Sequence, residues 1–334
     1  MKIVVVGAGS IGCVVGAALA DVAEVSLIGR PRVIDAAREH GLSVTSYDGS
    51  SHHVEPSRLT LATSPDAAAD ADAVLVAVKS GATESAVGEI APYLRPDTVV
   101  VSLQNGLRNP DRIRGVLPEH TVVPGMVAFN VVETAPARFH RATSGDVMVG
   151  SDPRVRPLVD LTRGTWLPYE PRADMREVQH AKLLLNLMNP VVALADRPLK
   201  ECLSQRDFRR VLAACQREAL QVFAAHGVRP ARLGPLPARA TARVLTAPDG
   251  VFTRVAAAQL KVDPEARSSM WDDLQHGRPT EIGELQGAVV DLGWRRGIPT
   301  PVCSALVDLV REAEQAGADR RRWSAADLRR AVGA

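Results

Sequence analysis

Apolar and polar positions divide the 334 residues into two regimes. In the first half, Lys2-Ile-Val-Val-Val6, Glu24-Val-Ser-Leu-Ile-Gly29, Asp72-Ala-Val-Leu-Val-Ala-Val78 and Thr98-Val-Val-Val-Ser-Leu103 are short and rich in β-branched residues. Several lack a polar face, as expected of strands covered on both sides. Between them, Cys13 to Ala20, Arg32 to His40 and Glu84 to Leu94 have the character of helices; Gly41 closes the second and Pro96 stops the third. Leu42–Tyr47 and Arg58–Ala62 predict two further short strands. The alternation predicts an α/β fold with a doubly wound parallel sheet. Val122–Asn130, Ala137–Arg141 and Asp146–Gly150 predict short strands that close this half in antiparallel fashion, and Pro168 and Pro171 predict a linker. After Asp174 the pattern is almost wholly helical, beginning with a long apolar helix from Met175 to Ala195. The expected division is an α/β domain over 1–170 and an all-α domain over 171–334.

The turn after the first strand is Gly7-Ala-Gly9-Ser-Ile-Gly12. A strand, this glycine spacing and then a helix form the dinucleotide fingerprint of a Rossmann-type sheet. Gly7 would permit the tight turn, Gly9 the approach of a pyrophosphate and Gly12 close packing of helix on strand. The helix N-terminus would offer free N–H groups and a positive dipole end to phosphate. The opening loosely mimics a secretory leader, but three glycines would break its apolar helix.

An NAD site would close the second strand with an acidic residue for the ribose 2′-hydroxyl. Here Gly29 is followed by Arg30, Pro31 and Arg32. Arginine pairs bidentately with a 2′-phosphate, so the expected cofactor is NADPH. The blander alternative is that both arginines only begin a solvated helix. Lys79 and Asn105 stand at the ends of two other buried strands, where ligands gather in such sheets.

Composition narrows the function classes. The chain is 46% hydrophobic and 23% charged, so it is neither disordered nor strongly charged. Forty basic and 38 acidic side chains leave a net +2, which argues against nucleic acid or a membrane surface as partner. The late arginines Arg320, Arg321, Arg322, Arg329 and Arg330 read as a solvated helix end. Cysteines at 13, 202, 215 and 303 match no metal box, so no metal is expected. Disulfides are not expected, and a cytoplasmic setting fits. No apolar run is long enough to span a membrane.

In the helical half, Lys182 and Asn186 stand at i and i+4, on one helix face. A lysine and an amide in so apolar a helix are costly unless paired or used, although a lysine can snorkel to the surface. Ser268, Ser269 and Glu281 could point into a cleft, or could simply be caps.

These residues together resemble the ketopantoate reductase (2-dehydropantoate 2-reductase) family. The resemblance runs from Gly7-Ala-Gly9-Ser-Ile-Gly12 through Val78-Lys79, Gln104-Asn105-Gly106, Lys182-Leu-Leu-Leu-Asn186 and Asn189-Pro190. Its most selective part is Ser268-Ser269-Met270…Asp273…Gly277-Arg-Pro-Thr280-Glu281-Ile282, then Gly287 and Gly297-Ile-Pro-Thr-Pro301. It implies a Rossmann domain followed by a helical domain, and NADPH-dependent reduction of ketopantoate to pantoate in pantothenate biosynthesis. It assigns catalysis to Lys182 as general acid and to Glu281, which would also hold the lysine charged. Substrate binding falls on Asn105, Asn186 and Ser269. Cofactor binding falls on Gly7, Ala8, Gly9, Ser10, Ile11, Gly12, Arg30, Lys79 and Asn105. The partner is a small-molecule 2-oxo acid; an apolar face on the helical half could also support a homodimer.

The chain departs from the family in one place. Relatives space the two asparagines of the lysine helix four apart; here Asn186 and Asn189 are three apart, with Pro190 next. A lost residue turns the remainder of an α-helix by about 100°. Two other readings therefore stand beside the first. One is a paralogous NADPH-dependent reductase of another branched 2-oxo acid. The other is a non-catalytic NADPH-binding sensor, against which the joint presence of Lys182, Ser269 and Glu281 speaks.

Overall fold

The computed structural model describes residues 1–234, 236–256 and 266–334. The chain divides into two units, Met1–Met175 and Arg176–Ala334.

The first unit holds strands β1 (Lys2–Val6), β2 (Glu24–Ile28), β3 (Leu42–Ser46), β4 (Ser51–Val54), β5 (Leu59–Ala62), β6 (Ala73–Val76), β7 (Val99–Ser102), β8 (Thr121–Val127), β9 (Val131–Ala135), β10 (Arg138–Arg141), β11 (Val147–Gly150) and β12 (Tyr169–Arg172). Its helices are α1 (Ser10–Leu19), α2 (Pro31–His40), α3 (Thr83–Ile90), α4 (Asn109–Val116) and α5 (Arg156–Thr162). Eight of the strands form one sheet in the order β12-β11-β8-β7-β6-β1-β2-β5. All its pairings are parallel except β11 on β8. From β1 the chain winds first toward β2 and β5, then returns to β6 and continues through β7 and β8. The reversal lies between β1 and β6, where ligands bind in sheets of this kind.

The strands lack a polar face because both faces are covered. In β1, Ile3 and Val5 join a core with Cys13, Leu19 and Ile34 from α1 and α2. Val4 and Val6 join the opposite core with Val87, Ile90 and Ile113 from α3 and α4. Strands β4, β3, β10 and β9 form a separate four-stranded sheet in that order, with β3 parallel to β10. Its Leu42, Val44 and Phe139 pack into the same core as α1.

Two sequence expectations are corrected in this unit. Of the three strands expected to close it antiparallel, only the last, β11, does so; β8 continues the parallel sheet and β10 serves the second sheet. The segment expected as a linker between Pro168 and Pro171 contains edge strand β12. Proline is tolerated on an edge, where one side of the strand needs no ladder donor.

The second unit is helical. It comprises α6 (Met175–Asn186), α7 (Asn189–Ala195), α8 (Leu199–Ser204), α9 (Arg206–Ala225), α10 (Ala238–Leu245), α11 (Asp249–Ala256), α12 (Ser269–Gln275), α13 (Gln286–Trp294), α14 (Pro301–Ala316) and α15 (Ala325–Ala331). The long α9 is its hub, packing against α7, α8, α10, α13, α14 and α15. Fully buried Arg209 on α9 donates to the carbonyls of Leu203, Leu245 and Ala247 and to Asp249. Its guanidinium also lies 4.1 Å from the Phe252 ring centre. Glu218 on α9 accepts from the Val302 and Cys303 N–H groups, at 2.8 and 2.9 Å, at the start of α14. A carboxylate suits that positive helix end.

The single helix expected from Met175 to Ala195 is two helices, broken at Leu187–Met188. Pro190 supplies the reason, since it cannot donate the N–H that would continue the ladder. The late arginines are more than a solvated helix end: Arg322 pairs with Asp196 at 2.9 Å and Arg329 with Asp207 at 2.8 Å. All four cysteines are buried and free. Among the described residues no helix is long and apolar enough to cross a membrane.

Candidate active site

In the first unit, the loop after β1 is built from backbone. The Gly7 and Ala8 N–H groups both donate to the Ile28 carbonyl, at 2.9 and 3.1 Å, and Gly7 has φ +106°. Each glycine of the motif has its own constraint. A Cβ on Gly7 would lie 2.7 Å from the Val78 nitrogen, in the loop after β6. A Cβ on Gly12 would lie 2.0 Å from the Gly7 carbonyl oxygen, so α1 can leave the turn only without a side chain there. Gly9 is different, with nothing within 4 Å of the same position. It is also the N-cap of α1 and contributes no side-chain cap. Gly9 therefore leaves space beside the first-turn N–H groups of Ser10 and Ile11, a cradle for an anion at a helix N-terminus. Gly29 is a fourth constrained position, because a Cβ there would meet the Ala8 Cβ at 2.4 Å. Its place at the end of β2 was the available signal.

The two arginines after β2 have different surroundings. Arg32 donates both terminal nitrogens to Glu133 on β9, at 3.0 and 3.1 Å. Arg30 is exposed at the N-cap of α2, and Pro31 begins the helix behind it. Lys79 is likewise exposed, at the turn that follows β6.

A buried polar network joins that turn to the one after β7. Gln104 donates to the Val78 carbonyl at 2.9 Å and to Thr83 at 2.7 Å. Asn109 donates to Ser80 Oγ at 2.9 Å and to the Asn105 carbonyl at 2.7 Å. Thr83 and Asn109 are fully buried. Satisfied networks of this kind rigidify what they join, so Asn105 rides on a fixed backbone. Thr83 and Asn109 were not visible as site residues, because nothing local distinguishes them from caps.

In the second unit, Lys182 lies on α6 one turn before Asn186, and both are half-buried. Burial lowers the Lys182 pKa from 10.5 to about 8. That direction is opposite to the one expected from a carboxylate holding the lysine charged. Ser268 is the N-cap of α12: its hydroxyl accepts from the Trp271 N–H and donates to the Asn189 carbonyl, both at 3.1 Å. Ser269 is exposed in the first turn of the same helix. Trp271 donates to Asp196 at 2.5 Å, which secures α12 against the end of α7. Half-buried Glu281 precedes a 3-10 turn, Ile282–Glu284, rather than an α-helix. The Thr280 N–H next to it is held by Glu314 at 2.7 Å. Gln286, the first residue of α13, donates from Nε2 to the Leu187 carbonyl at 2.8 Å. The α6–α7 junction thus accepts a bond from the segment carrying Ser269 and another from the segment carrying Glu281. Among the described residues, no group of three His, Cys, Asp or Glu side chains could hold a metal ion.

Known proteins resemble this chain in sequence and fold. Residues 3–154 match the family model "Ketopantoate reductase PanE/ApbA", and residues 174–314 match "Ketopantoate reductase PanE/ApbA C terminal". The 2-dehydropantoate 2-reductase of Halobacterium salinarum is 31% identical over 325 residues, covering 95% of this chain and 100% of that protein. The crystal structure of a PanE/ApbA family ketopantoate reductase from Ralstonia eutropha JMP134 superposes with a TM-score of 0.81 at 28% identity, covering 95% of this chain and 99% of the other. D-Mandelate dehydrogenase, solved with NADH and anilino(oxo)acetate, shares the fold with a TM-score of 0.80 at 22% identity, covering 95% and 99%. The two family models together span most of the sequence, and the chain belongs to the ketopantoate reductase PanE/ApbA family of oxidoreductases.

Proposed function

We propose that the chain reduces 2-dehydropantoate to pantoate with NADPH, in pantothenate biosynthesis. The observation that carries this reading is Lys182, an ammonium whose pKa burial holds at about 8, in a chain that also has the Gly9 cradle. The names of the relatives support the substrate, and the D-mandelate dehydrogenase complex with NADH supports a nicotinamide cofactor. The first unit would hold the cofactor and the second the catalytic groups.

The cradle fits a dinucleotide. Gly9 leaves the first turn of α1 open to a pyrophosphate, with Gly7, Ala8, Ser10, Ile11 and Gly12 shaping the turn. Arg30, exposed at the end of β2, would pair with a 2′-phosphate, while Arg32 is engaged by Glu133. Lys79 and Asn105 would line the same carboxyl edge of the sheet. When bound, NADPH supplies the hydride that reduces C2 of the keto acid.

The chain's own groups handle the charge and the proton. Lys182 stabilises the negative charge that grows on the C2 oxygen and then delivers its proton there. A pKa near 8 leaves the group charged at neutral pH yet ready to release the proton. Asn186, one turn along, and Ser269 and Asn105 orient the substrate by hydrogen bonds. Glu281 accepts from the substrate hydroxyl.

The test is an initial-rate panel with 2-dehydropantoate and other branched 2-oxo acids, each with NADPH and NADH. The expected result is turnover on 2-dehydropantoate with NADPH, and a rise in the NADPH KM of roughly tenfold or more for Arg30→Ala, with NADH little affected. Preference for another 2-oxo acid would transfer the reading to a paralogous reductase, a result the altered Asn186–Asn189 spacing makes worth seeking. Cofactor binding without turnover on any acid would favour a sensor.

A further inference from the structure

We infer that Gln216 and Gln286 are positioning residues for Lys182: they clamp the broken end of its helix and fix the direction in which the lysine is presented. The inference rests on the catalytic reading of Lys182 given above.

The α6 ladder fails just after Asn186. The Met188 N–H donates to Leu185, only three residues back, at 3.4 Å. The Leu184 carbonyl, which a continuing helix would pair with Met188, instead accepts from Gln216 Nε2 of α9 at 3.2 Å. The Leu187 carbonyl accepts from Gln286 Nε2 of α13 at 2.8 Å. Two buried side chains from two other helices therefore supply donors to carbonyls that the break leaves without their helical partners.

Both amides sit in the core: Gln216 is 5% exposed and Gln286 is fully buried. Each position carries a cost, because its Oε1 is buried without a hydrogen-bond partner. An apolar side chain of similar size would remove that unpaired acceptor but leave the Leu184 or Leu187 carbonyl unpaired in its place. What the amide adds at either position is its donor to the carbonyl at the helix break. The amide orientation is also fixed, since an Oε1 facing a carbonyl would repel it.

The clamp lies where it matters for chemistry. Leu184 and Leu187 bracket Asn186, and Lys182 is half a turn before Leu184. A side chain reaches ~6 Å from the helix axis, so turning this end by ~10° moves a terminal group by about 1 Å. A misplacement of about 1 Å can cost about a hundredfold in rate. Gln286 also ties the start of α13 to this end, close in sequence to Glu281.

The experiment compares Gln216→Met, Gln286→Met and Gln286→Glu with the wild type and Lys182→Ala. It reads kcat, the KM for NADPH, thermal midpoint and amide hydrogen exchange over 183–192. The Met variants should fold with a midpoint at or somewhat below the wild-type value, because each trades an unpaired Oε1 for an unpaired carbonyl. They should keep the NADPH KM within about twofold and lose about ten- to a hundredfold in kcat. Exchange over 183–192 should accelerate. In Gln286→Glu, a protonated carboxyl can donate to Leu187 as the amide does. That variant should retain turnover at low pH and lose it as the new carboxyl ionises. Wild-type kcat in folded Met variants, beside an inactive Lys182→Ala, would overturn the clamp alone. Undiminished turnover in Lys182→Ala would instead overturn the catalytic reading. A lower kcat with unchanged exchange over 183–192 would also count against the clamp.

Discussion

Replacing Lys182 by methionine should make the protein more stable while abolishing its chemistry. Methionine keeps an unbranched side chain of similar length and removes only the charge. In the folded chain the Lys182 pKa lies at about 8, against an ordinary 10.5. At about 1.4 kcal/mol per pH unit, that gap corresponds to about 3 kcal/mol of destabilisation at neutral pH. The side chain keeps part of its surface, so water screens some of the penalty and ~2 kcal/mol is the more realistic gain. The sign follows from proton counts. Below pH 8 both states carry the proton, and the folded state bears the full penalty. Between about 8 and 10.5 the unfolded chain holds a proton that the folded chain has released, so wild-type stability rises with pH relative to the variant. Above 10.5 both states are neutral and the penalty is gone. Urea unfolding of both proteins without cofactor, at pH 7 and near pH 10.5, reads the difference. An advantage for Lys182→Met at pH 7 that fades by pH 10.5 is expected. Equal stability at pH 7, or an advantage independent of pH, would refute the burial argument.

Two further predictions separate cradle from scaffold. Gly9→Ala should fold with unchanged stability, because its Cβ has open space, yet bind NADPH about tenfold or more weakly by fluorescence titration; wild-type affinity would dismiss Gly9 as the point of phosphate approach. Gly12→Ala should instead lower the thermal midpoint as well, since its Cβ would meet the Gly7 carbonyl. Glu218→Ala removes two charge-assisted bonds to the start of α14 and should cost about 3 kcal/mol in urea unfolding; a loss within about 0.5 kcal/mol, the ordinary range for a surface change, would show that the capping carboxylate is dispensable.

Legibility in the sequence tracks the range of the interactions. The roles of Gly7, Gly9 and Gly12 were legible because one strand, one turn and one helix determine them. The main sheet was legible because strands covered on both faces lose their polar positions. The second sheet was not, since β3 finds β10 more than half the first unit away in sequence and nothing local in Leu42–Ser46 says which sheet it joins. Edge strand β12 was hidden by Pro168 before it and Pro171 within it. Pro190 was visible, but the apolar run around it masks the break in the lysine helix. Gln216, Glu218 and Gln286 were the least legible. Each reads as an ordinary polar position on an amphipathic helix, and only packing against α6 or α14 turns it inward. Lys182 stood out by being a lysine among leucines, but spacing alone left it divided between function and snorkelling.

The most direct test of the central claim is the pH dependence of kcat/KM for NADPH-dependent reduction of 2-dehydropantoate, which reports groups in the free enzyme. If Lys182 is the proton donor, the wild-type value falls as pH rises through about 8, where the half-buried ammonium loses its proton. Lys182→Ala should then be slower by several orders of magnitude across the range. A wild-type profile that stays flat through this region, or a Lys182→Ala variant that turns over at the wild-type rate, would contradict the account.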